Sequence, residues 1–284
     1  MSAIAVVPDG SSAGAADIWV ADRVHGRIDV LRLDWDRTKP PVFDQFLPRL
    51  ARSFDLAAFA RRAASPAEGG APRTPEVVDI EFARGPDPTR EVVLLDRANM
   101  SVVWADARLS RGIVERLPRE AVEPEEFAVS NGVIAVADPG ARSVFVRSAD
   151  GAWSRRTELG GLPFARPSGV AFRTAVGGGP ATLVVSDAAR DAVIVAEPDG
   201  TARIVGERGT LDEQFWDPQG IAHSPLGLIV IDRGNHRYER FGDGFAWNLT
   251  GTLGRYYDRK RRGSPGGPPP LPPSSTPETR GGGS

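Results

Sequence analysis

Short apolar runs that end in aspartate recur along this chain. Ile18-Trp19-Val20-Ala21 leads to Asp22, Val92-Val93-Leu94-Leu95 to Asp96, and Val133–Ala137 to Asp138. Leu183–Ser186 leads to Asp187 and Leu228–Ile231 to Asp232. Such runs, rich in Val and Ile and bounded by polar corners, predict buried strands. A second strand is predicted after each corner: Arg27–Leu33, Val102–Ala105, Ser143–Arg147, Ala192–Ala196 and Tyr238–Phe241.

The corner aspartates are 74, 42, 49 and 45 residues apart. Three of these spacings match the roughly 40–50 residues of one four-stranded propeller blade. The stretch around Asp187 shows a whole unit: Ser168–Phe172, Leu183–Ser186, Val193–Ala196 and Thr201–Val205, from inside to outside. Its inner strand is small and apolar, as a crowded axis requires. Turn chemistry agrees with the period. Asn131-Gly132, Asp150-Gly151, Asp199-Gly200 and Asp243-Gly244 fall where tight hairpins are needed, and these residues tolerate positive φ. The predicted fold is therefore all-β, a β-propeller of five clear four-stranded blades over residues 1–254, beginning with an inner strand at Ala3–Val7.

The long first spacing holds an insert at 37–76. Leu50, Phe54 and Ala57/Ala58 lie at helical spacing, with Arg61 and Arg62 late, where cations suit a helix C-terminus. This predicts a helix over Leu50–Ala64, followed by a Pro/Gly/Ala linker from Ser65 to Glu76. The alternative for 37–76 is a degenerate sixth blade. Residues 255–284 form a tail. Arg255–Arg262 is basic, and Gly263–Ser284 is Pro/Gly/Ser-rich, the composition of a disordered linker or anchor.

The corner Asp232-Arg233-Gly234-Asn235-His236-Arg237 is echoed by Asp22-Arg23-Val24-His25-Gly26-Arg27 and by Asp96-Arg97-Ala98-Asn99. The lead-ins also repeat: Phe164-Ala165-Arg166-Pro167-Ser168-Gly169 parallels Phe215-Trp216-Asp217-Pro218-Gln219-Gly220. These features resemble the NHL-repeat β-propeller family, named for an Asn-His-Leu at that corner; here Arg237 follows His236. The resemblance implies a propeller, often six-bladed. With five clear repeats, the ring closes as five, closes through 37–76, or belongs to a longer polypeptide.

Composition narrows the function. The formal net charge is −2, with 35 basic and 37 acidic residues, which argues against a protein built mainly to hold nucleic acid or an acidic membrane. There is no cysteine, so disulfides, thiolate metal sites and a Cys nucleophile are excluded. The N-terminus lacks a signal-peptide pattern and no apolar run is long enough to cross a bilayer. The expected location is the cytoplasm, or a particle exported from it.

Candidate chemistry is sparse. Arg23, Arg97 and Arg233, with Asn235 and His236, are the candidate binding residues, gripping an anionic group on one face; the bland alternative pairs each arginine with a carboxylate of a neighbouring blade. The five corner aspartates could form a carboxylate ring for a cation, or each could cap its own turn. Some NHL-like propellers resemble a zinc-dependent amidating lyase, which needs several axial histidines. Here only His223 lies on an inner strand, with His25 and His236 at corners, so neither metal nor cofactor is expected. Lactonase-like propellers use an axial Glu/Asn/Asp set, and none is apparent in the sequence. Trp104, Trp153, Trp216 and Trp247 fall near outer strands and inter-blade loops, where packing is the default role.

The expected function is a non-enzymatic propeller that mediates protein–protein contact within a larger assembly. A component of a bacterial phage-tail-like injection particle is one form of it, suggested by the resemblance. The competing readings are a metal-dependent lyase or lactonase with an axial site, and an RNA-binding propeller.

Overall fold

The computed structural model describes residues 4–8, 15–34, 48–63, 73–83, 91–173, 181–197, 199–224, 227–242 and 247–252. Five four-stranded antiparallel sheets stand around an axis as propeller blades. Blade 1 is β1 (Ile4–Pro8), β2 (Ala15–Asp22), β3 (Arg27–Asp34) and β4 (Arg49–Asp55), and a short helix, α1 (Leu56–Ala63), follows it. Blade 2 is β5 (Val77–Phe82), β6 (Val92–Asp96), β7 (Ser101–Ala105) and β8 (Gly112–Arg116). Blade 3 is β9 (Glu126–Ser130), β10 (Val133–Asp138), β11 (Ser143–Arg147) and β12 (Trp153–Arg156).

A two-residue ladder, β13 (Glu158–Leu159) with β14 (Leu162–Pro163), precedes blade 4. That blade is β15 (Pro167–Arg173), β16 (Thr182–Asp187), β17 (Ala192–Ala196) and β18 (Ala202–Val205). A short parallel pair, β19 (Glu207–Arg208) with β20 (Gln214–Phe215), precedes blade 5. Blade 5 is β21 (Pro218–Ser224), β22 (Gly227–Asp232), β23 (Arg237–Phe241) and β24 (Trp247–Thr252).

The helix is shorter than its sequence pattern predicts. Arg49–Asp55 pairs with β3 as the outer strand of blade 1, and only Leu56–Ala63 is helical. The sheet edge wins because β3 would otherwise leave a row of backbone groups unpaired. Phe54 stacks on Trp19 with ring centroids 5.5 Å apart, which fixes the strand. Asp55 then caps the helix, its Oδ1 accepting the Ala58 N–H at 2.7 Å. Leu56 and Phe59 bury themselves under the junction of blades 1 and 2. Residues 37–47 and 64–72, the Asp243-Gly244 turn and the 255–284 tail lie outside the described residues.

The core is a set of inter-blade layers with a fixed register. Count back from each corner aspartate along the second strand. The residues one and three back face the next blade: Ala21 and Trp19, Leu95 and Val93, Ala137 and Ala135 lie in the clusters that join their blades to the following one, as does Val184. The residues two and four back face the preceding blade: Leu94 and Val92, Val136 and Ile134, Val185 and Leu183, Val230 and Leu228. A strand with both faces covered reads as a continuous apolar run, because alternate residues enter different layers. That is why β6, buried at all five positions, shows no polar alternation.

Candidate functional site

The corners repeat as one device. Asp138 Oδ1 accepts the Ala141 N–H of its own turn at 2.8 Å and the Glu123 N–H of the incoming lead-in at 3.0 Å, while Oδ2 accepts Val122 N–H at 2.7 Å. Asp187 accepts the Ala165 and Arg166 N–H groups, Asp96 accepts those of Glu76 and Asn99, and Asp232 accepts that of Trp216. Each carboxylate thus pins the connection that enters its own blade, which accounts for the repeated lead-ins. Asp22 is the least buried variant, bonded to His25 through its backbone at 3.1 Å and its Nδ1 at 2.6 Å.

The residue four past each aspartate is left-handed: Gly26 (φ 61°), Met100 (48°), Arg142 (49°), Asp191 (52°) and His236 (53°). His236 occupies that backbone position in the fifth corner. Asn235 caps the same turn, its Nδ2 donating to Asp232 Oδ2 at 2.7 Å and to the Gly209 carbonyl at 2.8 Å. Arg23 and Arg97 both pair with Glu76, the latter through Nη2 at 2.5 Å. The Arg97 guanidinium, with Arg23 beside it, holds the Glu76 carboxyl below the usual range. Arg233 and Arg166 both pair with Asp217, at 3.5 and 3.2 Å. The structure therefore places the candidate arginines at corners, two sharing one carboxylate and the third sharing another.

Arg97, Arg166 and Arg233 of these pairs share one further neighbour, Glu125. Burial pushes the Glu125 carboxyl up, and the nearby charges of Arg166, Arg97 and Arg233 oppose that shift. Exposed apolar side chains stand on the same end: Val24 at 89% exposure in the first corner, Val122 at 63%, Leu211 at 68% and Trp216 at 48% in the lead-ins. Trp216 is not buried between blades. It lies under the Arg208 guanidinium, 6.0 Å from the ring centroid, an arrangement of cation over π-face. Trp104, in contrast, is packed between blades 2 and 3.

Deeper in the axis are three carboxylates that the sequence did not single out. Asp79 and Glu81 come from β5 and Glu126 from β9. Inner strands present an unpaired edge to the axis, and these side chains satisfy it. Asp79 Oδ2 accepts Phe127 N–H at 2.9 Å and Glu81 Oε2 accepts Val129 N–H at 2.8 Å, tying blade 2 to blade 3. Glu126 Oε1 accepts N–H groups from both Val170 (3.2 Å) and Ile221 (3.0 Å), tying blade 3 to blades 4 and 5.

The three carboxylates are half-buried along the inner strands, with Glu81 and Glu126 both within reach of the Asp79 charge. Burial pushes Asp79 up to about 7 and Glu81 to about 8, and raises Glu126 well above its ordinary value; the negative charge of Asp79 adds to the last two. Among the described residues, no three of His, Asp or Glu converge as metal ligands. The signal available in the sequence was a pair of acids, Asp79 and Glu81, inside an otherwise apolar strand, and Glu126 at the head of another.

Comparison with known proteins agrees with this architecture and goes no further. No family model matches the chain, and no curated protein matches it. Solved structures do. A streptogramin B lyase aligns with TM-score 0.52 at 11% identity, covering 89% of this chain and 72% of its own. Virginiamycin B lyase from Staphylococcus aureus aligns with TM-score 0.51 at 12% identity, covering 89% and 74%. A nidogen/laminin complex structure aligns with TM-score 0.53 at 12% identity, covering 88% and 79%. At such identity the likeness shows the fold alone: this chain is similar to these proteins as a β-propeller.

Proposed function

We propose that this propeller is a non-enzymatic scaffold that holds a protein partner on its corner face, as one part of a larger assembly. The observation that carries the reading is the set of exposed Val24, Val122, Leu211 and Trp216 on that face, interleaved with arginine–carboxylate pairs. Aromatic and arginine side chains dominate binding energy at protein interfaces, and apolar groups ringed by polar ones are their usual setting. The corner carboxylates and Asn235 support the reading by being engaged in backbone bonds. The finer form, a component of a phage-tail-like injection particle, is supported by the repeat resemblance.

The test is co-purification of the full-length chain from its native cells, with Trp216→Ala and Val24→Asp combined. Loss of a partner in that variant, with retention in Ile113→Asp on the exposed outer strand of blade 2, supports the proposal. Equal recovery of the partner by all three proteins rejects it.

A second reading is acid–base chemistry at the axis, as in a lyase or lactonase. One observation favours it: Asp79, Glu81 and Glu126 carry raised carboxyl pKa values close together, a pattern common at catalytic sites. Metal analysis of purified protein discriminates. One divalent ion per chain, lost in Glu126→Gln, would replace the scaffold reading.

A further inference from the structure

The register that packs the blades leaves two faces over. In blades 1 to 4 the residues one and three before the corner aspartate that lie in a hydrophobic cluster meet the next blade; in blades 2 to 5 those two and four before it meet the preceding one. In blade 5 the first pair is Ile231 and Ile229, and in blade 1 the second pair is Val20 and Ile18. Among the described residues, none of these four belongs to an inter-blade cluster.

Burial says the same. The central strands of blades 2, 3 and 4 are buried on both faces, whereas β22 and β23 alternate between buried and half-buried positions. The half-buried set on blade 5 is Ile229, Ile231, Tyr238 and Arg240, which stand opposite one another across the two strands. On blade 1 it is Ile18, Val20, Asp29 and Leu31, paired in the same way. Neighbouring inner strands touch along β1 and β5, β5 and β9, β9 and β15, and β15 and β21; among the described residues no contact of like extent joins β21 to β1.

The geometry points to a seam between blades 5 and 1 that is filled by a β-sheet segment of another polypeptide, completing the ring as a blade would. Continuity with the four internal junctions argues for this occupant. Every equivalent face in the molecule is covered by a strand pair with apolar residues in alternate register. The two walls also state the chemistry the segment needs. It should carry one apolar face toward Ile229 and Ile231 and a second toward Ile18, Val20 and Leu31.

The chain has no cysteine of its own, so two labels can be placed cleanly. With nitroxides on Val20→Cys and Ile231→Cys in the full-length protein, electron–electron distance measurement should give about 20 Å, two sheet spacings, rather than about 10 Å for direct packing. A distance near one spacing overturns the proposal. In native cells, a photo-crosslinking residue at Ile231 should give an adduct with a different polypeptide, and Ile18→Arg should reduce that adduct at least tenfold. An adduct with any part of this chain, with a second copy, or with nothing overturns it. The seam is separate from the corner face. A Trp216→Ala protein that loses its corner partner should keep the Ile231 adduct, so the two proposals fail independently.

Discussion

At the scale of single residues, the corner aspartates show how one side chain can define a repeat. Asp138 is fully buried and accepts three backbone N–H bonds from two segments. Leaving such donors unsatisfied in a buried site costs about 1–3 kcal/mol per group. Asp138→Ala is therefore expected to destabilise the protein by roughly 3 kcal/mol or more, and Asp22→Ala, at the least buried corner, by much less. Urea unfolding monitored by tryptophan fluorescence measures both. His236 makes the opposite point. It was legible in the sequence as part of a polar cluster, yet the repeated left-handed φ of Gly26, Met100, Arg142 and Asp191 explains its position better than chemistry does. Gly26 carried the clearest mark of this; Asp191 and His236 are types that tolerate positive φ, whereas Met100 and Arg142 carry no such mark. His236→Gly should leave stability unchanged or raise it by up to about 1 kcal/mol, and His236→Val should lower it.

At the scale of elements, apolar runs, corner aspartates and Asn-Gly or Asp-Gly turns were enough to place the strands, because each marks a backbone requirement. Asn131 and Gly132, for example, both take positive φ in the turn between β9 and β10. The outer strand of blade 1 was not legible. Leu50 to Asp55 fits a helix locally, and the choice depends on an edge of β3 that is distant in sequence. The axial carboxylates were hidden for a similar reason: the inter-blade N–H donors they accept from lie 44 to 95 residues away. The glycines of the lead-ins serve the same close approach. A Cβ on Gly169 would stand 2.2 Å from the Gln219 carbonyl and 3.0 Å from Glu126 Oε1. Gly169→Ala should cost about 1–3 kcal/mol through overpacking and broaden amide-exchange protection along β15 and β21, which hydrogen-exchange mass spectrometry can read.

At the scale of the molecule, the axis couples blades through groups that prefer to be protonated. Asp79 and Glu81 titrate near 7 and 8 in the fold against about 4 in an unfolded chain. The folded state then binds more protons than the unfolded state between about pH 4 and pH 8, so their contribution to stability is full below that window and lost as pH rises through it. Glu76, held low by its arginines, works the other way, and its contribution is lost only as pH falls below about 4. Thermal unfolding between pH 5 and 8 should therefore show a midpoint that falls with rising pH. Glu81→Gln and Asp79→Asn should flatten that slope, and a wild-type midpoint independent of pH would contradict the assignment. The fold as a whole was readable from the period of the sequence; the exposed apolar side chains of the corner face were not, because exposure of Val24 or Trp216 follows from where blades leave space.

The most direct test of the scaffold account places a photo-crosslinking amino acid at Val24 in the full-length protein, since lysine chemistry has only Lys39 and Lys260 to use. After irradiation in native cells and mass spectrometry, the account predicts a discrete protein adduct at Val24 that falls at least tenfold when Trp216 is changed to Ala. No adduct at Val24, or one that is indifferent to Trp216, would contradict it.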